Sequence, residues 1–280
     1  MKTLVKKSEM IQKSLESQRN GKKIGFIPTM GALHAGHIFL VTEAQKICDE
    51  IIVSIFVNPT QFGPTEDFAK YPRPISEDVL LLEKANVDIL FAPSVLEIYG
   101  ANFQTTVTSS AMSKILCGQN RPGHFDGVCT IVSKLFNIVK PDLAFFGKKD
   151  YQQFSILTQL VKDLDFSIKI IGVETLREAS GLALSSRNRY LSSEERIQAA
   201  QIFRALNRVS KKFKDGSRDV KVLVDEFCSV LADPIFKIEY CEIRHPENLA
   251  PFDGEVSGPA QILVAVKIGS TRLIDNIMLT

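Results

Sequence analysis

The sequence predicts an α/β protein in which a parallel sheet is followed by a smaller C-terminal α+β domain. Up to about residue 175, short apolar runs alternate with segments of helical period, a pattern typical of a parallel sheet covered on both faces. Beyond that point, two helical patterns precede three strand-like runs, which is the order of an α+β domain. A chain of 280 residues can form one large or two modest domains. We favour two, residues 1–175 and 176–280.

The apolar runs of the first domain have the length and composition of buried parallel strands. They predict strands at residues 24–27, 51–57, 87–91, 143–146 and 168–173, and Pro28 is expected to end the first. The apolar spacing predicts helices at residues 36–48, 76–85, 127–139 and 150–164. In the second domain it predicts helices at 193–212 and 219–232, and strands at 236–243, 262–268 and 271–278.

Three polar segments follow predicted strands, at residues 28–37, 58–62 and 147–150. Ligands of parallel sheets bind beyond the C-terminal ends of the strands. We therefore expect the three segments to converge in one crevice.

Residues 28–37 place His34 and His37 at the predicted start of a helix. Backbone N–H groups and the helix dipole attract anions there, and Gly31 and Gly36 let the main chain approach a phosphate closely. Imidazole N–H groups can bind phosphate oxygens that gain charge when the α-phosphorus is attacked. The alternatives are a surface pair or a metal site. A metal is disfavoured because only two further histidines remain and no cysteine pair accompanies them.

Residues 56–62 place the amides of Asn58 and Gln61, with an aromatic ring, at the end of a predicted strand. Amides both donate and accept hydrogen bonds, which suits a hydroxyl-bearing, carboxylated small molecule in a partly apolar pocket. The alternative is a capped strand end.

Two further segments carry positive charge. In residues 147–153, two lysines precede Asp150, a natural N-cap, and Gln153 follows on the first helical turn. Residues 185–189 combine hydroxyl groups with two guanidiniums, those of Arg187 and Arg189, which can bind phosphate bidentately. Both segments suit a polyphosphate, and a solvated charge cluster is the alternative for the lysines.

Composition excludes several classes of function. The net charge is +2, and the 24% of charged residues are in mixed order, so we expect no nucleic-acid partner. The five cysteines are an odd number without close pairs and are expected to be reduced thiols of a cytoplasmic protein. We expect no signal peptide and no membrane helix. Neither a kinase-type P-loop nor a dinucleotide fingerprint is present.

Taken together, these motifs resemble those of the pantothenate synthetase (pantoate–β-alanine ligase) family. The matching blocks lie in the family's order at residues 28–37, 56–62, 71–73, 123–128, 146–153, 181–188 and 271–276. The resemblance implies a Rossmann-like nucleotidyltransferase core with a small C-terminal domain, assembled as a homodimer and dependent on ATP and Mg²⁺. It also implies that pantoate is first joined to AMP with release of pyrophosphate, and that β-alanine then displaces AMP to form pantothenate.

The resemblance implies roles for individual residues. Pantoate would be held by Met30, Gln61 and Gln153 with Tyr71 nearby, and β-alanine by Gln61. ATP would be held by Met30, His34, His37, Gly147, Lys149, Asp150, Leu176, Leu184, Ser185, Ser186 and Arg187. Within that set, His34, His37, Lys149 and Arg187 are the candidate catalytic residues. The ribose and adenine would be received by Gly147, Asp150 and the backbone at Leu176 and Leu184. Asp78, with Glu77, lies where the family places acidic groups near the metal.

Three positions depart from the commoner family pattern. Lys148 replaces a glutamate and is expected to add charge near the nucleotide. Ser180 replaces an aspartate, so the tethering of its loop is in question. Leu184 replaces a methionine and should matter little if the adenine contact is through the backbone.

Other functions are less compatible with these motifs. A cytidylyltransferase and a class I aminoacyl-tRNA synthetase bind phosphates with a similar pair of motifs. Gln61 and Gln153 argue against the cytidylyltransferase. A synthetase would need a tRNA-binding domain. A non-catalytic nucleotide-binding regulator is disfavoured because the charged groups needed for the chemistry are present. We also expect the second domain to act as a lid, since an anhydride intermediate must be kept from water.

Overall fold

The computed structural model of the protein describes residues 1–63 and 68–280. The chain divides into two units. The first consists of Met1–Gly147 and Ile156–Val173, and the second of Lys148–Ser155 and Glu174–Thr280. The second unit thus includes a short segment around Lys149 that lies well before residue 176.

The first unit contains a six-stranded sheet in the order β1-β4-β3-β2-β5-β6, and all its neighbouring strands run parallel. Its strands are β1 (Lys2–Leu4), β2 (Ile24–Thr29), β3 (Glu50–Ile55), β4 (Ile89–Phe91), β5 (Leu143–Gly147) and β6 (Lys169–Val173). In the sheet, β3 and β4 lie on one side of β2, and β5 and β6 lie on its other side, so the strand order reverses at β2. Ligands of open α/β sheets bind at such a reversal of strand order, so the loop after β2 is well placed for a site.

The helices of this part of the chain are α1 (Lys7–Arg19), α2 (Ala35–Gln45), α3 (Ile75–Lys84), α4 (Val95–Tyr99), α5 (Cys117–Asn120), α6 (His124–Val139) and α7 (Tyr151–Asp163). The sequence did not predict α1, because the inward face of this helix carries Ser14 and Ser17 beside Met10 instead of an apolar stripe. The most deeply buried helix is α6, in which nearly every residue after His124 is apolar or small.

The prediction that Pro28 ends the first strand was wrong, because β2 continues to Thr29 and Pro28 pairs with Ser54 of β3. On the other side, the ladder between β2 and β5 pairs Gly25 and Phe26 only. A residue without an N–H group is tolerated where no ladder bond is required of it.

The second unit contains an antiparallel sheet of three strands, β7 (Phe236–Arg244), β8 (Ala260–Ile268) and β9 (Thr271–Leu279), in that order. Two helices, α8 (Ser193–Lys214) and α9 (Val220–Val230), share its apolar core. The start of α8 is marked by a capping box in which Ser192 and Glu195 each bind the other's backbone N–H. The predicted fold class, a parallel α/β sheet with a smaller α+β part, is confirmed.

In residues 1–63 and 68–280, no helix has an apolar stretch long enough to cross a membrane.

Candidate active site

The loop between β2 and α2 is held by a buried carboxylate. Asp78, on α3, accepts the backbone N–H of Ala32 at 2.9 Å and that of Leu33 at 2.7 Å. Gly31 and Ala32 both have positive φ, +82° and +51°, and an alanine in this left-handed region costs roughly 1–2 kcal/mol. The two bonds from Asp78 stabilise the strained turn and thereby place the residues on either side of it, Met30 and His34.

His34 and His37 form an unusual cap at the start of α2. The Nδ1 atom of His34 accepts the N–H of Gly36 at 3.1 Å, and the Nδ1 atom of His37 accepts the N–H of His34 at 3.2 Å. The ring centroids are 4.1 Å apart. Since both Nδ1 atoms act as acceptors, a neutral ring carries its proton on Nε2, which is then a donor.

This cap corrects the expectation that the backbone N–H groups of this helix start are left for an anion. The N–H of Gly36 donates to His34, because the histidine at the N-cap supplies an acceptor of its own. An anion at this helix start would therefore meet the imidazole rings and not that backbone group.

Gln61 ends a 3₁₀ turn, Pro59–Gln61, that follows β3. Its Nε2 donates to Met30 Sδ at 2.8 Å, and its Oε1 accepts from Asn58 Nδ2 at 3.2 Å. The structure thus brings together two of the predicted pantoate-binding residues, Met30 and Gln61. Gln61 is only 8% exposed, so its amide makes these contacts in a buried setting.

The backbone of Gln61 is held from α6. The Nδ1 atom of His124 lies 2.8 Å from the carbonyl oxygen of Gln61, and Arg121 Nη1 lies 3.0 Å from His124 Nε2. Since the guanidinium can only donate, Nε2 accepts and the ring proton is on Nδ1, directed at Gln61. Gly127 lets α6 approach the backbone of Gln61 closely, because a Cβ atom added at this position would lie only 2.6 Å from Gln61 N.

A cavity of about 440 Å³ opens beside Met30, the residue that Gln61 contacts, and its volume is within the usual range for small-molecule sites. Of the predicted site residues that the structure describes, Met30 and Asp78 lie in its wall. Apolar side chains, among them Phe56 and Val57, form much of the remainder.

Tyr71 lies in an aromatic group, with its ring centroid 5.8 Å from that of Phe62. Glu77 is exposed at the start of α3, in contrast to the buried Asp78 beside it.

In the second unit, the residues around Lys149 are held by Asn276 of β9. The Nδ2 of Asn276 donates to the carbonyl oxygens of Lys148 and Lys149, each at 2.9 Å, and its Oδ1 accepts from Gln261 at 2.6 Å. Lys149 Nζ is 3.9 Å from Asp150 Oδ2. Asp150 immediately precedes Tyr151, at which α7 begins, and Gln153 lies on the first turn of that helix as predicted.

Residues 176–184 form a tight hairpin in the second unit. Arg177 pairs with Ala183 across it, and the N–H of Leu184 donates to the carbonyl of Leu176 at 3.0 Å. One backbone group of each residue that the resemblance places at the ribose and adenine is therefore already paired within the hairpin. Gly181 closes the turn with a φ of +93°.

Two ion pairs tie this hairpin down. Arg177 binds Asp275 of β9 bidentately, at 2.6 and 2.8 Å, while its guanidinium lies 3.7 Å from the ring centroid of Phe203. Glu178 accepts from Arg196 at 2.9 and 2.8 Å and from Asn188 at 2.9 Å. The hydrogen bond from Arg196 is the main cause of the lowered pKa of Glu178.

The segment with Ser185, Ser186 and Arg187 directly follows the hairpin. Ser185 Oγ accepts the N–H of Arg187 at 3.2 Å and caps the 3₁₀ turn Ser186–Tyr190. Arg187 is exposed, and the buried Asn188 anchors the turn through Glu178 and the carbonyl of Ala183.

The structure also accounts for the three departures from the family pattern. Lys148 forms an ion pair with Glu174, so its additional charge is matched by a carboxylate. Ser180 Oγ accepts the N–H of Leu182 at 3.4 Å, and Arg177 supplies a charged tether. At the third position, Leu184, the hydrogen bond within the hairpin is made by the backbone and does not depend on the side chain.

Sequence reasoning missed several residues that hold the site, notably Tyr99, Asp275 and Asn276. Two of these lie in the matching block at residues 271–276, where the motif itself indicates no role for them. A polar pair, Asp275-Asn276, inside an otherwise apolar strand pattern is a signal that could have indicated buried partners.

Comparison with known proteins decides the family. The family model described as pantoate-beta-alanine ligase matches residues 3–278. The chain belongs to the pantoate–β-alanine ligase family. The pantothenate synthetase of Fervidobacterium nodosum is 48% identical over 272 residues, 97% of each chain. That of Carboxydothermus hydrogenoformans is 50% identical over 268 residues, 94% of each chain.

Solved structures agree with this family assignment. The crystal structure of pantothenate synthetase from Thermus thermophilus has a TM-score of 0.92 at 42% identity and covers 99% of each chain. The pantoate–β-alanine ligase of Francisella tularensis, solved as a complex with beta-gamma ATP and β-alanine, has a TM-score of 0.76 at 35% identity. It covers 99% of this chain and 97% of that one.

The loop between β2 and α2 gives the first prediction, for the variant Asp78→Asn. The amide retains one acceptor oxygen and turns an NH₂ group toward either Ala32 or Leu33, so a buried N–H loses its partner. We expect the free energy of unfolding to fall by about 1–3 kcal/mol, measured by urea denaturation. Glu77→Gln, which changes the exposed neighbouring carboxylate, is the control and should be nearly neutral. Equal stability of Asp78→Asn and the unmodified protein would contradict the role given to Asp78.

The lowered pKa of Glu178 gives a second prediction. A carboxylate whose folded pKa lies below its ordinary value of 4.5 stabilises the fold above that pH, and this stabilisation is lost as the pH falls through the folded pKa. We expect Glu178→Gln to be less stable by about 1 kcal/mol at pH 7, since the partner Arg196 is half exposed. The difference should shrink below pH 4.5. Unfolding measured from pH 7 to pH 3 checks this, with the exposed Glu247→Gln as control, and a difference independent of pH would refute it.

Proposed function

We propose that this chain condenses pantoate with β-alanine to form pantothenate, at the expense of ATP, through a pantoyl-adenylate intermediate and with release of AMP and pyrophosphate. The observation that carries the proposal is the histidine cap of α2, in a chain that the ligase family model matches over residues 3–278. The relative from Francisella tularensis, solved with beta-gamma ATP and β-alanine, supports ATP and β-alanine as substrates.

In the proposed first step, a carboxylate oxygen of pantoate attacks the α-phosphorus of ATP, a new O–P bond forms, and pyrophosphate leaves. A carboxylate is ionised at neutral pH, so this step needs no general base. It needs alignment of the two reactants and donors for the growing negative charge. The Nε2–H groups of His34 and His37 and the ammonium group of Lys149 are suited to this task.

The remaining proposed ligands of ATP are Met30, Gly147, Asp150, Leu176, Leu184, Ser185, Ser186 and Arg187. The exposed guanidinium of Arg187 and the hydroxyls before it are suited to the outer phosphates. Because the N–H of Leu184 and the carbonyl of Leu176 bind each other, we propose that adenine and ribose contact other groups of this hairpin. Arg187 completes the proposed catalytic set with His34, His37 and Lys149.

Pantoate is proposed to bind Gln61, Met30 and Gln153, with Tyr71 nearby, and β-alanine to bind Gln61 as well. The buried amide of Gln61 has a donor end and an acceptor end, which suits an acid that carries both hydroxyl and carboxylate oxygens. In the second step, the amine of β-alanine attacks the acyl carbon of the adenylate and AMP leaves. The amine must lose its ammonium proton before it can attack.

Mg²⁺ belongs to the proposal as a companion of ATP. The part of the chain that the structure describes holds no group of three or more His, Cys, Asp or Glu residues that could bind a metal. Both carboxylate oxygens of Asp78 accept backbone N–H groups, so the residues present do not fit a dedicated metal site, and we derive no step through the ion. Mg²⁺ can instead be held largely by the phosphates of ATP and by water, and we propose no direct ligand role for Asp78.

We also propose assembly as a homodimer, which the resemblance implies. A cytoplasmic location is proposed from the cysteine pattern, and a lid role for residues 176–280 from the need to keep the anhydride from water.

The proposed function is tested by exchange of labelled pyrophosphate into ATP. We expect exchange that depends on pantoate and does not need β-alanine, because the adenylate forms before the amine enters. Exchange with a different acid but not with pantoate would reassign the substrate. No exchange with any carboxylic acid, together with intact ATP binding, would favour the non-catalytic regulator.

A third prediction concerns the charge-stabilising residues. We expect His37→Ala and Lys149→Ala each to lower the rate of pantothenate formation by at least roughly 10²-fold, the scale for loss of one preorganised donor. Steady-state kinetics at saturating substrates measure this. Lys162→Ala, which removes an exposed cation from the last turn of α7, is the control. Near-normal rates in both test variants would remove these residues from the mechanism.

A further inference from the structure

The amide of Asn58 is buried and its two ends are distinguishable. Asn58 is 1% exposed. Its Oδ1 accepts the backbone N–H of Thr60 at 3.4 Å, and its Nδ2 donates to the carbonyl of Gly127 at 3.0 Å. A backbone N–H can only donate and a carbonyl can only accept. The amide therefore has one orientation, with oxygen toward Thr60 and nitrogen toward Gly127.

This orientation determines that of Gln61. The same Nδ2 of Asn58 lies 3.2 Å from Gln61 Oε1, so Gln61 presents its oxygen to Asn58 and its NH₂ group to Met30. The partner of that NH₂ group is the thioether sulfur at 2.8 Å, which is a weak acceptor. A hydroxyl or carboxylate oxygen is a stronger one. Gln61 is thus held as a donor whose present partner a substrate oxygen can replace.

Tyr99 contacts the oxygen end of the Asn58 amide, whose nitrogen end contacts Gln61. Its hydroxyl donates to Asn58 Oδ1 at 2.6 Å, the shortest of the bonds to that oxygen, and Thr60 Oγ1 donates to the same atom at 3.0 Å. The ring is held between neighbours, with centroids 6.1 Å from Phe56 and 4.7 Å from Phe103. Since the Tyr99 hydroxyl bonds Asn58 and Asn58 bonds Gln61, the effect of Tyr99 on Gln61 passes through the Asn58 amide.

We propose that Tyr99, at the end of α4, is a positioning residue for Gln61 in the pantoate site and acts through Asn58. The inference rests on the proposed function, since it takes Gln61 to be the donor to pantoate. Burial raises the pKa of the Tyr99 hydroxyl, so this group keeps its proton and remains a donor throughout the neutral range.

The test compares Tyr99→Phe with the unmodified full-length protein. The substitution keeps the packed ring and removes only the donor. Loss of one hydrogen bond of this kind is expected to raise the KM for pantoate about three- to tenfold, while the KM for ATP stays unchanged. A merely structural role would change both constants together or lower the melting temperature. Tyr240→Phe, which removes a phenolic hydroxyl from β7 in the other unit, is the matched control and should change neither constant.

A second variant tests the same proposal even if Tyr99→Phe does not fold. Thr60 is exposed, and Thr60→Val removes the other hydroxyl donor to Asn58 Oδ1. It should raise the KM for pantoate in the same direction, and the double variant should exceed either single one. In a Gln61→Ala background, Tyr99→Phe should change the pantoate constant by less than about twofold, because the two residues act along one path.

The outcomes separate this inference from the proposed function. If the unmodified protein shows no pantoate-dependent pyrophosphate exchange, the proposed function fails. If exchange is normal but Tyr99→Phe leaves the KM for pantoate unchanged, the positioning role is overturned. An equal effect of Tyr99→Phe with and without Gln61 would overturn it as well.

Discussion

The loop between β2 and α2 depends on a single buried carboxylate that holds a strained turn. Asp78 accepts two consecutive N–H groups from a loop in which Gly31 and Ala32 both have positive φ. The turn brings the chain from the end of β2 to the start of α2 within a few residues. Met30 and the histidine cap stand on its two sides, so both positions follow from these two hydrogen bonds. A carboxylate suits this task because its two oxygens accept from neighbouring donors at once.

The same device recurs with other side chains. Asn276 binds two consecutive carbonyls beside Lys149, and His124 binds the carbonyl of Gln61. In each case a side chain from a regular element holds the backbone of a loop. Functional groups on loops require such support, because a displacement of about 1 Å is enough to weaken a preorganised site.

The polar contacts around these loops also fix which atoms donate. The cap places the Nδ1 atoms of His34 and His37 as acceptors, which leaves Nε2–H as the donor of each neutral ring. Asn58 turns the NH₂ group of Gln61 toward Met30. When a carboxylate attacks a phosphorus centre, negative charge grows on the phosphate oxygens. Hydrogen-bond donors held in fixed positions are suited to stabilise that charge.

The sequence alone determined the alternation of strands and helices, the α+β character of the C-terminal part and the polar segments at the strand ends, because these depend on local periodicity. It also identified the family, since motifs in a fixed order are readable without coordinates. The local pattern gave the wrong end for β2 at Pro28. How far a strand extends depends on the neighbouring strands with which it pairs, and β3 pairs with β2 beyond the point where β5 stops. The supporting residues Tyr99, Asp78 and Asn276 acquire their roles only from partners far along the chain. Hydrogen-bond partners of buried polar groups are chosen by the packed structure, and so only the tertiary structure decided them.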